Sequence, residues 1–501
     1  MGPFADRPSQ SLDHYAMGHV LQPPAPTPRE RPLSFPALLA ALNRNPLECW
    51  TARHFDELIV EGGLPVGRAI LVHDPRAIRR VLSENAANYR KDRLQKRVLS
   101  AGMSEGLLSA EGHQWRAQRR LAAPMFAARS VRDFTPAMLG AAETLVDGWP
   151  GRGETIDAAV EMRRVTLAVL ERTIFTDGLG RDAEDIRRAM AIFFDVIGRV
   201  SALDLVGAPE IIPRLGRRRA RPALRLFEAA IDDMIAARRK VLNEDPERAP
   251  ADMLTALLAA CEADDGARLS PVEVRSNILT FFAAGHETTA NTLTWSLYLL
   301  SQSPGWRARV EAEAAAAFDG PTEGLVDRLI ETRAVIEEAI RLYPPIAAIS
   351  RVALDDDELG GRKVRRGTLV VISPYVLHRH RMLWDAPDLF EPGRFLGEAR
   401  AGIDRFAYLP FGAGPRICIG QAFALQEAAI VLATIARRVR LRLAPGQTIW
   451  PLLRVTLRPA DGLRMIVNRR AARPVSAPSA PAEPGQDPSE FPAPRFARAR
   501  R

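Results

Sequence analysis

The ten residues FGAGPRICIG, at positions 411–420, decide the fold, and they lead into an apolar run that ends near Arg438. A cysteine in a glycine-bent loop just before a helix lies near backbone N–H groups and the positive end of the helix dipole, which both favour a thiolate. Gly412 and Gly414 permit the tight loop. Cys418 is therefore a candidate metal ligand, although a single cysteine in such a turn is also consistent with an ordinary buried residue.

The neighbours of Cys418 make the stretch more specific than the cysteine alone. Gly420 lets the backbone approach a flat partner, Arg416 offers a cation to a carboxylate at that partner's edge, and Phe411 is placed to shield the sulfur. Together these residues resemble the haem-ligand loop of the cytochrome P450 family, in its bacterial soluble form. The resemblance implies that the Cys418 thiolate binds the iron of haem b and that Phe411, Arg416 and Gly420 contact the haem.

A second anchor is a long helix predicted from Ser270 to about residue 301. Ser270 and Glu273 form a capping box with Pro271 at the first helical position, and nothing stops the helix before Pro304. At 1.5 Å per residue the helix is roughly 45–50 Å long, which is enough to cross a whole domain.

Polar residues interrupt this apolar helix at positions 284–289, AGHETT. Glycine is unfavourable inside a helix and Thr288 can bond to the carbonyl one turn earlier, so the segment predicts a local opening. A polar patch with back-bonded hydroxyls explains the same residues without a function. The segment resembles the family's oxygen-binding helix, which implies that Glu287 and Thr288 manage protons for O2 cleavage. Phe281 and Ala284 are candidate pocket residues, and His286 has no evident metal role.

Four more side chains are candidate haem contacts. Trp115 and Arg119 share a helix face at i and i+4, which also fits a surface cation–π pair. The family's Trp-x-x-x-Arg helix is similar, and the resemblance implies that both side chains reach the haem propionates. Arg351 offers another cation for a propionate, and the resemblance implies that His378 contacts the haem.

One charged pair is a candidate structural cluster. Glu338 and Arg341 lie at i and i+3 on a helix that Pro344 ends, and such a pair alone is usually an exposed ion pair of little worth. With Arg394 downstream, the pair resembles the family's buried Glu–Arg–Arg cluster. The resemblance implies that this cluster fixes the loop that presents Cys418.

Apolar segments predict the walls and roof of a pocket. Residues 346–349, IAAI, are a short strand candidate, in which Ile346, Ala347 and Ile349 are candidate substrate contacts. Residues 202–213 form an apolar, Pro-broken connection. In the family, two helices joined at this point form a movable roof over the substrate, and an apolar roof suits an apolar ligand.

The order of elements predicts a single mainly helical domain with a small β-rich lobe. Residues 1–34 are Pro-rich and are predicted to form a weakly ordered arm. Residues 35–470 are predicted to form the domain, and residues 471–501 a disordered Ala/Pro/Ser-rich tail. Two early strands are predicted near 55–59 and 68–73, joined by a glycine turn.

Composition limits the class of protein. The chain has 501 residues, 47% hydrophobic and 26% charged, which is typical of a globular protein with a core large enough to enclose a cofactor. The formal charge is +9, but the tail from Arg469 onward holds seven arginines and three acidic residues, a net +4. Basic and aromatic residues do not interleave in a patch, so we expect no nucleic-acid partner.

The three cysteines predict no disulfide, because Cys49, Cys261 and Cys418 are far apart and no secretory signal precedes them. No apolar run reaches the ~20 residues that a membrane helix needs, so we expect no membrane span. These features predict a cytoplasmic protein, which we expect to be a monomer.

The resemblance implies a P450 fold with haem between the helix of Thr288 and the loop of Cys418. It implies O2- and NAD(P)H-dependent monooxygenation of an apolar or amphipathic small molecule. Because the sequence has no Gly-rich dinucleotide motif and no iron–sulfur cysteine cluster, electrons are expected from an external ferredoxin or flavodoxin with its reductase. The alternatives are a peroxide-driven or isomerising haem-thiolate enzyme and a non-catalytic haem-dependent ligand binder.

Overall fold

A computed structural model describes residues 21–470, apart from gaps at 65–66, 93–94, 96–104, 152, 177–187, 189–191, 193–214 and 263–268. The predicted roof connection at 202–213 and the predicted tail at 471–501 lie outside the described residues.

Helices dominate the described chain, so the predicted mainly helical class with a small β-rich part is confirmed. In chain order they are α1 Phe35–Arg44, α2 Ala52–Asp56, α3 Pro75–Arg79, α4 Gly112–Ala122, α5 Ala128–Arg132, α6 Thr135–Asp147, α7 Ala158–Ile174, α8 Leu215–Glu244, α9 Met253–Glu262, α10 Pro271–Gln302, α11 Pro304–Ala317, α12 Ile330–Leu342, α13 Pro374–Leu377, α14 Gly397–Ala401 and α15 Gln421–Arg438.

The strands form small sheets beside the helices. They are β1 Ile59–Leu64, β2 Gly67–Val72, β3 Tyr89–Arg90, β4 Thr155–Asp157, β5 Ile349–Ala353, β6 Asp357–Leu359, β7 Arg362–Val364, β8 Leu369–Ile372, β9 Val439–Leu443, β10 Pro451–Leu453, β11 Leu457–Pro459 and β12 Arg464–Arg469. The largest sheet has the order β1-β2-β8-β5-β3, in which only β2 and β8 are parallel. A second sheet has the order β4-β12-β9.

Helix α10 is the axis of the helical part. Its predicted start is confirmed, because the Ser270 hydroxyl accepts from the Glu273 backbone N–H while the Glu273 carboxylate accepts from the Ser270 N–H. The helix has 32 residues, a length of about 48 Å at 1.5 Å per residue. It packs along α7, α12 and α15. The long helix therefore passes through the core instead of lying on the surface.

Aromatic rings fix α10 to its neighbours. The ring of Trp295 stacks on that of Tyr343, with centroids 3.8 Å apart and planes at 11°. The ring of Phe282 lies 5.5 Å from that of Phe175 and 5.8 Å from that of Phe227. Contacts of this kind add about 0.5–1.5 kcal/mol each beyond the area that they bury, so they hold α10 in one position relative to α7, α8 and α12.

The second half of the predicted arm is bound to the domain. The Pro24 carbonyl accepts from the Tyr343 hydroxyl at 2.8 Å, the Leu21 carbonyl accepts from the Phe390 N–H at 2.9 Å, and Arg29 forms a parallel bridge with Thr51. The expected boundary at residue 34 is therefore wrong for residues 21–34. Backbone carbonyls anchor this segment, and such contacts leave no periodic pattern in the sequence. Residues 1–20 lie outside the described part.

The first strands differ from their predicted positions. Phe55, predicted to begin a strand, lies in α2, and β1 begins at Ile59. Gly62 and Gly63, predicted to turn the chain, pair with Ala69 and Arg68 inside the ladder. Pairing with β2 thus overrides the turn preference of the two glycines.

Among the residues that the structure describes, no helix combines the length and apolar character required to cross a membrane.

Candidate functional site

The loop before α15 has a shape that only glycine allows at two positions. Gly412 and Gly414 both have a φ of +71°, a region that side chains rarely adopt. A Cβ atom at Gly414 would come within 1.8 Å of the Leu82 carbonyl oxygen. The Cys418 N–H donates to the Phe411 carbonyl at 2.9 Å, which closes the loop. The sulfur is thereby held one turn before α15 begins.

The side chain of Cys418 is exposed, yet protein surrounds it closely enough for burial to raise the pKa of its thiol. A side chain has both properties when it opens into a cleft inside the protein. The Gly420 N–H and the Arg119 guanidinium act in the opposite direction and lower the pKa. The Gly420 N–H therefore acts in the direction predicted for the loop, and burial acts more strongly against it.

The face of α10 that holds the AGHETT segment also opens to a cleft. Throughout residues 276–300, all of which are described, only 283–285, 287 and 288 are not buried, and Ala284 is the most exposed of them. The Thr288 hydroxyl donates to the Ala284 carbonyl at 2.6 Å, which is the back-bond predicted for it. Phe281, a predicted pocket residue, is instead buried against the ring of Phe126, 5.1 Å away.

Three guanidinium groups converge on the Cys418 loop. Arg119 donates to the Ile417 carbonyl at 2.8 Å, and Arg416 donates to the Ala110 carbonyl at 3.1 Å and forms an ion pair with Glu111. Burial lowers the pKa of Arg119, of Arg416 and of Arg351, and the positive charge of Arg416 lowers that of Arg351 further. These partly buried cations favour the binding of a negatively charged group beside the cleft.

Trp115 forms a cation–π pair with Arg416 and not with Arg119, its partner in the alternative explanation. Its ring lies under the guanidinium of Arg416, 4.4 Å from the ring centroid, although sequence spacing paired it with Arg119 on the same helix. The stack fixes the Arg416 side chain from α4, across 301 residues of chain. Glu111, which binds Arg416 from the other side, was not identified from the sequence, because a lone acidic residue before a helix carries no specific signal.

The structure brings Glu338, Arg341 and Arg394 together. Arg341 donates from Nε and Nη2 to the two Glu338 carboxylate oxygens at 2.6 and 2.8 Å, with both side chains 0% exposed. The Nε of Arg394 lies 3.6 Å from the same carboxylate. Arg341 also donates to three backbone carbonyls, those of His378, Pro387 and Leu389. The cluster thus pins the irregular segment between α13 and α14 to α12.

His378 is not at the cleft, where it was expected to contact haem. Its side chain is 0% exposed, its Nε2 accepts from the Leu409 N–H at 2.9 Å, and its ring lies 5.1 Å from that of Tyr408. Burial lowers the pKa of His378 well below its usual value, so the ring stays neutral and can accept. The residue fixes the backbone that enters the Cys418 loop.

The comparisons with known proteins agree with this geometry. A family model described as "Cytochrome P450" matches residues 28–466, which is most of the chain. The chain belongs to the cytochrome P450 family.

Named relatives and a solved P450 structure resemble the chain over nearly its whole length. The "Cyclooctatin synthase" of Streptomyces melanosporofaciens is 35% identical over 88% of this chain and 94% of that protein. The "Cyclooctat-9-en-7-ol 5-monooxygenase" of the same organism is 34% identical over 82% and 88%. The haem domain of cytochrome P450DA has a TM-score of 0.76 and 25% identity, over 89% of this chain and 98% of that one. This protein therefore has the P450 fold and is an oxidoreductase of the monooxygenase type.

Cytochromes P450 bind haem, and the residues of this P450 fit that group. The exposed Cys418 sulfur is a soft donor of the kind that iron accepts. A Cβ atom at Gly420 would lie 4.0 Å from this sulfur, so glycine leaves that flank open to a flat ligand. Arg119, Arg351 and Arg416 are cations of the kind that would bind two propionate groups.

The predicted apolar wall of this P450 differs from the structure at one position. Ile346 is 41% exposed and Ala348 is exposed, whereas Ala347 is buried and its carbonyl accepts from the Ser373 hydroxyl at 2.8 Å. Ile349 opens β5, and its Cδ1 lies 3.8 Å from the position of a Cβ atom at Gly412. Ala347 is therefore a core residue, and Ala348, which was not among the predicted residues, is exposed in its place.

Proposed function

We propose that Cys418 is the axial thiolate ligand of haem b and that this P450 inserts one oxygen atom from O2 into an apolar, ring-containing molecule. The observation that carries the proposal is that Cys418 is exposed and that residues 283–285, 287 and 288 stay unburied within an otherwise buried stretch of α10. Bound haem supplies the activation of O2. The chain supplies the sulfur, the cations for the propionates and the polar groups of α10.

The proposed substrate class rests on the wall residues and on one relative. Ala284, Ile346 and Ala348 present only apolar groups, and such surfaces favour apolar ligands by excluding water. A relative is named for 5-monooxygenation of cyclooctat-9-en-7-ol, a cyclic unsaturated alcohol. We therefore infer a terpene-like hydrocarbon or its monoalcohol as the substrate of this protein.

The proposed proton path uses Thr288 and Glu287. The Thr288 hydroxyl reaches the cleft but donates to the Ala284 carbonyl, so its lone pairs remain available to a water molecule or to bound oxygen. Glu287 is half-buried beside it and can take protons from solvent. Positioned acid–base groups of this kind contribute typically ~10²–10⁴-fold to a rate.

Thr288→Ala is expected to separate O2 consumption from product formation, because the second proton is then misplaced and hydrogen peroxide leaves. The measurement is peroxide released per O2 consumed, with a substrate first found by its effect on the spin state of the haem. Thr294→Ala is the matched control, since the Thr294 hydroxyl makes the same back-bond, to Ala290 at 2.7 Å, but is fully buried. An unaltered ratio in Thr288→Ala would make Thr288 a structural residue.

Electron supply is proposed to come from an acidic ferredoxin or flavodoxin with its NAD(P)H reductase, acting on a cytoplasmic monomer. Arg116 and Arg120 on α4 and Arg437 at the end of α15 are exposed. Arg438 and Arg440 are ion-paired with Asp147 and Glu311. Arg116, Arg120 and Arg437 are therefore the cations proposed to meet the acidic partner.

NAD(P)H alone is expected to reduce the haem negligibly, whereas added ferredoxin and reductase support turnover that slows as salt rises, because charge steers the encounter. Arg116→Gln should lower the second-order rate of reduction, and Arg44→Gln, at an exposed position on α1, should not. Efficient reduction without a partner, or turnover driven only by peroxide, would overturn this part of the proposal.

A further inference from the structure

The back of α10 is bound to α7 directly behind the opening that holds Glu287 and Thr288. The Nε2 of His286 lies 3.1 Å from the Arg163 carbonyl oxygen, and the Thr166 hydroxyl lies 3.1 Å from the His286 carbonyl oxygen. Each helix thus offers a side-chain donor to the backbone of the other. The two helices also form the most extensive contact between any two described elements.

Gly285 lets the two helices come this close. A Cβ atom at Gly285 would lie 3.1 Å from the Cδ2 of Leu170 on α7, so a larger residue would press on the Leu170 side chain. The close approach of Leu170, one turn after Thr166, extends the contact along α7. Residues 285 and 286 therefore face α7, while residues 284, 287 and 288 reach the cleft.

The chemistry of His286 is that of a fixed donor. A carbonyl oxygen only accepts hydrogen bonds, so the bond to Arg163 requires the proton on Nε2. Burial, and secondarily the charge of Arg163, lowers the pKa of His286 to about 4. The ring is therefore neutral at pH 7 and holds its proton in place, which makes it unsuited to relay protons but suited to anchor the helix.

Thr166 is a shared donor. Its hydroxyl also lies 3.0 Å from the Met162 carbonyl and 3.2 Å from the Arg163 carbonyl within α7. Because a hydroxyl carries one hydrogen, the bond to the His286 carbonyl competes with these two. The bond from His286 is thus the main attachment, and Thr166 adds to it.

We propose that His286 and Thr166 are positioning residues that hold the backbone of α10 against α7, so that Glu287 and Thr288 keep their place at the cleft. This inference rests on the proposed proton path through those two residues. In this proposal neither His286 nor Thr166 touches substrate or haem. Both act by limiting how far residues 284–288 can shift when ligands enter.

The test compares variants that remove the donor with variants that keep it. His286→Leu and Thr166→Val remove the donor at similar size, whereas His286→Gln and Thr166→Ser retain one. Thr173→Val is the matched control, because the Thr173 hydroxyl is equally buried on α7 but bonds only to Val169 and Leu170 of its own helix. Thr166→Val is nearly isosteric, so it remains informative even if His286→Leu folds poorly.

Two readouts separate the attachment from its consequence. Hydrogen–deuterium exchange of the peptide covering 284–290 should be faster in the donor-free variants and unchanged in Thr173→Val. Peroxide released per O2 consumed should rise roughly 2- to 10-fold, the effect of losing one hydrogen bond, and the donor-retaining variants should restore it. The reduced carbon-monoxide spectrum should stay that of the wild type in every variant.

Each contrary outcome has its own meaning. Unchanged exchange in both donor-free variants shows that the two contacts do not hold α10, which overturns the inference. Faster exchange with unchanged coupling also overturns it, because the contacts are then only structural. If Thr288→Ala itself couples normally, the proton path of the proposed function is what fails, whatever the exchange data show.

Discussion

Cys418→Ser is expected to abolish monooxygenase activity and to remove the strongly red-shifted Soret band of the reduced carbon-monoxide complex. A serine hydroxyl is a harder and far less acidic donor than a thiol. At position 418 burial already opposes the charged form, since it raises the pKa of the native thiol. An alkoxide at the same place would be still less stable, so the variant should lose thiolate ligation completely.

Cys49→Ser is the matched control. Cys49 is partly buried and burial raises the pKa of its thiol to about 11, but nothing in its surroundings resembles the loop before α15. This variant should keep the wild-type spectrum and activity. A retained red-shifted band in Cys418→Ser, together with its loss in Cys49→Ser or Cys261→Ser, would assign the ligand to another cysteine.

Arg341→Met is expected to lower the free energy of unfolding by about 3–5 kcal/mol, because it leaves the Glu338 carboxylate buried with fewer partners. The change also removes donors from the carbonyls of His378, Pro387 and Leu389. The segment between α13 and α14 should then loosen along with the pair. Urea unfolding of the haem-bound protein measures the loss.

Arg309→Met provides the comparison for a surface pair. Arg309 donates to both carboxylate oxygens of Glu331 at 2.8 and 2.9 Å, in the same bidentate geometry as Arg341. Its side chain, however, is about half exposed. Exposed pairs contribute ~0–1 kcal/mol. If Arg341→Met costs no more than Arg309→Met, the buried cluster does not stabilise the fold in the way proposed.

Features set by local chemistry were predictable from the sequence. The capping box at Ser270 and the proline at 271 placed the start of α10, because both act within one turn. The glycines of the Cys418 loop were informative for the same reason, since a positive φ restricts the residue type directly. The back-bond of Thr288 also followed from helix geometry alone.

Features set by distant contacts were not predictable. The ring of Trp115 lies under Arg416 instead of pairing with Arg119, because the choice depends on how α4 meets the Cys418 loop. His378 was expected at the cleft, but its ring accepts a hydrogen bond from the Leu409 backbone N–H. Alternation along the 346–349 segment could have identified Ala348, yet which of its two faces is buried depends on β8 and the loop after it.

Residue 286 shows a further limit of sequence reasoning. A histidine beside a glutamate in an apolar helix suggests a charged partner or a proton carrier, and neither fits a ring that burial keeps neutral. Its acceptor is a backbone carbonyl of α7, which no side-chain pattern reveals. The likeness of AGHETT to its family motif therefore suggested a role for its acid and alcohol but none for its histidine.

The attachment of residues 21–34 has a consequence for biosynthesis. Pro24 leaves the ribosome well before its partner Tyr343, which lies 319 residues later, and Leu21 likewise precedes Phe390. At about 5–20 residues per second, that interval is roughly 15–60 s. The contacts of Leu21 and Pro24 therefore form late, and the Leu21 contact can close only when the chain that carries Cys418 is itself about to emerge.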